Sequence, residues 1–175
     1  MNFLNIDNDT LVAITSVLAV VISIISMGFT TIFSILQIIH NKNSVRPISS
    51  IQVSDYEDLL SVYISNVGTG PLIITKLRAY NNDNEAEALI DLMPNVDQDW
   101  STFVESVDGW TIPVGGKITL IEIEPNNDTI CKLLRHILSQ TTITIEYKDI
   151  YKTKFNDKRK LDFFGRHEVC NQIQF

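Results

Sequence analysis

Seven of the 14 lysines and arginines fall in one short stretch near the C-terminus: Lys148, Lys152, Lys154, Lys158, Arg159, Lys160 and Arg166, with only three acids among them. The whole chain carries 21 acids and a formal charge of -7, so this cluster is a local positive site of the kind that binds phosphate. Tyr147, Tyr151 and Phe155 lie within the same stretch and offer stacking surfaces for nucleic-acid bases. Two other readings stand beside that one. The lysines can guard an exposed sheet edge while the aromatics fill a core, or the basic face can meet anionic lipid.

A second pattern lies in an apolar run near the N-terminus. Ser16, Ser23, Thr30 and Gln37 recur every seven residues, and Ala19, Ser26 and Phe33 fill the alternate positions. This 3-4 spacing draws one stripe of small and hydroxyl side chains along a helix whose remaining surface is mostly Ile, Val, Leu and Phe. Parallel membrane helices use such a stripe to approach closely and hydrogen-bond. Several copies around an axis would line a narrow pore with hydroxyls, with Phe33 as a constriction that dewets and Gln37 as a polar ring beneath it. The alternatives are a packing seam without conduction, or plain variation, since Ser and Thr can bond their own helix carbonyls. Gln37 is expensive against lipid and calls for an interior.

Other chemistry is not indicated. There is no Gly-rich phosphate loop, no Gly-x-Ser-x-Gly elbow and no kinase-like signature. Cys131 with His136, and His167 with Cys170, do not have the spacing of a zinc knuckle, and Glu122 with Glu124 reads as an exposed strand face. The sequence predicts no catalytic residue, metal or cofactor, and hence a protein that is not an enzyme.

The elements that must carry these residues begin with the apolar run. Leu11 to Ile39 contains no Asp, Glu, Lys, Arg or His. As a helix these residues would reach about 43 Å, against about 30 Å of bilayer hydrocarbon, so they can cross once with tilt. A cleaved signal peptide is not expected, because the residues before Thr10 hold acids and no base. His40, Lys42 and Arg46 follow the run, and the positive-inside rule then leaves the N-terminus outside. The expected layout is an extracytoplasmic segment over 1–10, a transmembrane helix over 11–40, a linker over 41–47 and a cytoplasmic domain over 48–175.

Within that domain, strands are predicted at Ile48–Ser54, Leu60–Ser65, Leu72–Tyr80 and Lys117–Glu124 from alternating apolar residues and the turn residues between them. Thr141–Lys148 and Ile150–Phe155 read as a hairpin about Asp149, and Lys160–Phe164 as a last strand. Ile130, Leu133, Leu134 and Ile137 follow helical spacing behind an Asn127 or Asp128 cap. Residues 81–108, with eight acids and no base, form an insertion that reads as partly helical over Glu85–Met93 or as a solvated loop pinned by Trp100 and Phe103. The fold class is mainly β: one transmembrane helix, then an antiparallel, immunoglobulin-like sandwich with a short covering helix. Charged residues are 20% and apolar ones 45%, which excludes a disordered chain, and two cysteines cannot make a disulfide scaffold.

A single N-terminal span, an Asn-x-Gly-x-Gly-Pro turn (Asn66 to Pro71) and a later Glu-Tyr-Lys-Asp-x-Tyr hairpin (Glu146 to Tyr151) give the chain a layout that resembles the small membrane effectors of bacterial anti-phage systems. In layout it is similar to the effector of Hailong-type systems. That resemblance implies a tetrameric ion channel in the bacterial inner membrane, held closed by single-stranded DNA oligomers from a partner nucleotidyltransferase and opened when the DNA is destroyed. Resemblance to CBASS-type effectors implies activation by a cyclic oligonucleotide instead. The architecture transfers; no ligand-binding residue does. The rival expectation is a membrane-tethered module that recruits a protein and conducts nothing.

Overall fold

A computed structural model describes residues 7–82 and 84–166. The chain divides into two compact units at the Asn43–Ser44 bond. The first is one helix, α1 (Asn8–Ser44), long and apolar enough to cross a membrane, with none of its residues buried. It starts at Asn8, between Asp7 and Asp9, where acids suit the helix dipole.

The second unit is an antiparallel β-domain. One sheet contains β1 (Ser49–Asp55), β2 (Leu60–Asn66), β7 (Lys117–Ile123) and β5 (Thr102–Phe103), in the order β1-β2-β7-β5. The other contains β4 (Asn84–Ala86), β3 (Leu72–Asn81), β8 (Thr141–Lys148) and β9 (Lys154–Lys160), in the order β4-β3-β8-β9, with β6 (Thr111–Ile112) also on β3. Alternation explains the long strands. Leu60, Val62 and Ile64 face inward from β2, and Ile143, Ile145 and Tyr147 from β8, while their neighbours face out. One core joins both sheets, and α2 (Asp128–Gln140) adds Cys131, Leu134 and Leu138 to it. Asn127 caps α2, its side chain accepting the Ile130 N–H at 2.8 Å. Both sheets are antiparallel throughout.

Three local expectations are corrected. The hairpin turn is Asp149–Thr153, because the Asp149 carboxylate accepts the Thr153 N–H at 2.8 Å and its backbone closes on Thr153 and Lys152. The return strand therefore starts at Lys154, not Ile150. No strand follows at 160–164; Asp162–Gly165 is a 3-10 turn that inserts Phe164 fully into the core. Over 85–93 there is no α-helix, only β4 and a 3-10 turn at Ile90–Leu92.

Antiparallel pairing also sorts the loops between two ends of the domain. At the end where β1 begins lie residues 45–48, the 66–71 turn, the 113–116 loop and the 149–153 hairpin turn. Asn66 ties three of these together. Its buried amide donates to the carbonyls of Gly70 at 2.7 Å and Ile112 at 3.1 Å, and its side-chain oxygen accepts the Gly68 N–H at 3.0 Å. The backbone of Val67 and Thr69 bonds Ile48 and Arg46, so residues 45–48 pass directly over the turn. A Cβ at Gly68 would stand 2.4 Å from the Ile48 nitrogen, and one at Gly70 1.8 Å from the Val45 oxygen. The Asn-x-Gly-x-Gly-Pro motif is thus a clamp on the chain entering the domain.

Candidate functional site

The register of β3, β8 and β9 decides which basic residues share a face. Lys148 stands opposite Lys154, Thr144 opposite Lys158 and Thr142 opposite Lys160, while on the far side of β8 Lys76 stands opposite Glu146. Lys154, Lys158 and Lys160 are the exposed alternate positions of β9. They cover about 20 Å along the strand at the usual rise. With Lys148 and Lys76 they form an outer face of five lysines and one carboxylate, Glu146. None of the five has an ion pair among the described residues. Lys148 and Lys154 are like charges on directly opposed positions, an arrangement that destabilises a sheet unless an anion lies against it. The face ends at Arg78, whose guanidinium is paired with Glu85, Glu87 and Asp108 at 3.7, 3.0 and 3.3 Å.

The other members of the cluster go elsewhere. Lys152 sits in the turn at φ +65°, a left-handed conformation uncommon for a side-chain-bearing residue. Arg159 points to the opposite face, where it donates to the Ile51 carbonyl. Asp157, beside it, accepts from Ser49 Oγ at 2.8 Å, so β9 is bridged to β1 along its outer edge. Tyr147 and Phe155 also face inward, stacked with ring centroids 5.5 Å apart, and Arg46 lies over Phe155 at 4.9 Å. The stacking role for these two rings is therefore not supported by their position; Tyr151 alone is exposed. Lys76 cannot be grouped with the others from sequence, because it lies some seventy residues away and only the strand register brings it in.

Arg166 belongs to a different place, at the opposite end of the domain. The Asp55 carboxylate is wholly covered and receives Arg135 Nε at 2.8 Å and Arg166 Nη2 at 3.2 Å. Arg135 also donates to the Tyr56 carbonyl at 3.1 Å, and Arg166 lies over Phe163 at 4.1 Å. The triad lines an open cleft of about 730 Å³ rimmed by Glu57, Asp58 and Asp128. With both guanidinium groups committed and the rim acidic, the triad acts as a bolt between β1, α2 and the last turn. Asp55→Ala leaves two cations facing a void and is expected to cost about 3 kcal/mol, read as a lowered denaturant midpoint.

Cys131 is buried on the core side of α2, and burial pushes its thiol pKa up. That removes thiolate at neutral pH and makes the group inert while the domain is folded. His136, on the same helix, is exposed and contacts Gln140. His167 and Cys170 lie outside the described residues. No group of three metal-ligating side chains occurs among the described residues.

In α1, Ser16, Ser23 and Thr30 donate to the carbonyls four residues earlier, at 2.7 to 2.8 Å. Thr31 and Ser34 do the same from outside the stripe. Self-bonding therefore does not distinguish the stripe; its periodicity and Gln37 do. Gln37 makes no side-chain hydrogen bond among the described residues. Phe33 is exposed and stacked on Phe29, with centroids 6.5 Å apart.

No family model matches the chain, and no curated protein is significantly similar to it. Among solved structures it has a likeness to the archaellum periplasmic stator protein FlaG from Sulfolobus acidocaldarius. The identity is 11% and the TM-score 0.26, over 65% of this chain and 100% of that one, too slight to carry an argument.

Proposed function

We propose that this protein is an oligomeric membrane pore whose β-domain senses a phosphate-bearing ligand, an oligonucleotide in the first instance. The observation that carries the reading is the lysine face on β3, β8 and β9: five cations without ion pairs among the described residues, on a protein of net charge -7. Such a face attracts polyanions without reading bases, which suits a linear or cyclic oligonucleotide. Solubilising a sheet edge accounts for it less well, because the lysines stand on the outer sheet face across β3, β8 and β9 and not on the edge strand alone.

The pore half rests on α1. Ser16, Ala19, Ser23, Ser26, Thr30, Phe33 and Gln37 form its seam or lining, and an oligomer, a tetramer if the resemblance to phage-defence effectors holds, gives Gln37 the interior it lacks in one copy. The basic flank supports an orientation with the β-domain in the cytoplasm, and the resemblance to phage-defence effectors supports a bacterial cell in which a partner nucleotidyltransferase would supply the ligand. A tether that recruits protein and conducts nothing is the second reading, favoured by the hydroxyls bonding within their own helix.

The test uses the full-length protein in detergent and a fluorescent single-stranded DNA. Lys154→Glu with Lys158→Glu should remove binding and leave the melting temperature nearly unchanged, since both side chains are exposed. Neutralising the same pair should flatten the salt dependence of log affinity by about two. Binding that survives the reversal, or does not respond to salt, refutes this face as the site.

A further inference from the structure

We infer that the end of the β-domain at which the chain enters is itself a membrane-docking surface that rests on anionic phospholipid headgroups. The inference rests neither on the oligonucleotide reading nor on conduction, although Lys148 and Lys154 belong to both surfaces, and it needs only that α1 crosses a bilayer. Six large apolar side chains are exposed at or beside this end: Ile48, Val67, Trp110, Val114, Ile150 and Tyr151, between 45% and 59% exposed. They sit on four separate loops or turns, so they crown the end rather than mark a single defect in packing. A scattered exposed residue needs no explanation, but a crown on one end does.

Charge is sorted in the same way. The segments 44–48, 66–71, 110–117 and 148–154 contain Arg46, Lys117, Lys148, Lys152 and Lys154 and one acid, Asp149, which is buried and spent on the Thr153 N–H. The opposite end shows Glu57, Asp58, Glu124 and Asp162, all exposed. A domain of strongly negative total charge therefore turns a positive, apolar-tipped end toward its point of attachment. Apolar tips ringed by cations match an anionic leaflet, where acyl-chain boundary and phosphate lie one above the other.

The covalent chain ties this end of the domain to α1. α1 ends at Ser44 and β1 begins at Ser49, so at most about 18 Å of extended chain separates them. The Asn66 clamp removes even that slack by fixing 45–48 to the domain. An aqueous-facing end would have no use for Val67, Val114 and Ile150 at its extremities.

The experiment places a nitroxide at Val67→Cys or Ile150→Cys, each in a Cys170→Ser background of the full-length protein, with Asn126→Cys at the opposite end as reference. The protein is reconstituted in nanodiscs of phosphatidylcholine alone or with phosphatidylglycerol, and collision with oxygen and with a nickel chelate is measured. In the anionic discs the labels at 67 and 150 should lose nickel accessibility while that at 126 keeps it. Lys117→Gln with Lys152→Gln should restore it, each lysine strengthening such contact roughly fivefold. Labels at 67 and 150 as open to nickel as that at 126 in every disc overturn the inference. Equal shielding in detergent without lipid also overturns it, since the end then contacts another copy. Extraction at alkaline pH reports separately whether α1 is inserted, so failure of the span is told apart from failure of the docking.

Discussion

Gly70→Ala is expected to abolish folding of the β-domain. Its new Cβ would stand 1.8 Å from the Val45 carbonyl oxygen, and the obstacle is backbone, which cannot swing aside as a long side chain can. Relief requires residues 45–48 to lift, and that breaks the bonds from Val67 to Ile48 and from Thr69 to Arg46. Overpacking alone costs about 1–3 kcal/mol, and each of the two lost backbone hydrogen bonds adds about 1 kcal/mol. The sum is comparable with the whole stability of a small domain. Asn66→Ala approaches the same point from another side, leaving the Gly70 and Ile112 carbonyls and the Gly68 N–H without their partner, for about 3 kcal/mol or more. Cys131 provides the readout. In a Cys170→Ser background it should resist alkylation in the parent protein and react promptly in Gly70→Ala. Persistent protection in that variant would show that the clamp yields without cost.

Phe33→Ser should produce a constitutive leak. Phe33 is the one large apolar member of the stripe, a turn before Gln37, and its ring is braced by Phe29. If the stripe lines a pore, a ring of such side chains leaves a gap too apolar to hold water, and serine wets it. Planar-bilayer recording should show current without ligand for Phe33→Ser and silence for Phe33→Leu, and cells producing the serine variant should stop growing. If the stripe is a dry seam, serine only loosens packing by about 1 kcal/mol and no current appears. A silent Phe33→Ser channel that still assembles would falsify the gate and move attention to Phe29.

Where the sequence was legible, a simple period governed it. β2 and β8 bury alternate apolar residues, β3 does so on either side of a bulge, and α2 buries a helical stripe behind a recognisable cap. β9 was misplaced because Lys-Phe-Asn-Asp-Lys-Arg-Lys contains one apolar residue, and its inward positions include Asp157 and Arg159. Those two are tolerated because Ser49 and Ile51 on another strand satisfy them, a fact with no local trace. Ile150 and Tyr151 looked like strand for the converse reason: they are apolar and exposed. The lysine face was half visible. Its β9 members and Lys148 are neighbours in sequence, whereas Lys76 joins through pairing, and Arg159 and Arg166 leave through tertiary contacts that charge counting cannot see. The Asn-Gly-Gly-Pro turn was plain as a turn, but the segment it grips was not, because grip by backbone carbonyls leaves no residue signature on the gripped side.

That last asymmetry has a practical corollary for how such proteins can be rearranged. The clamp holds Val45, Arg46 and Ile48 by their backbone atoms, so it is a socket indifferent to what is plugged into it. A different membrane anchor, grafted before residue 45, should seat as firmly as the native one. The β-domain is in this sense portable: recombination can exchange the anchor while the joint stays the same.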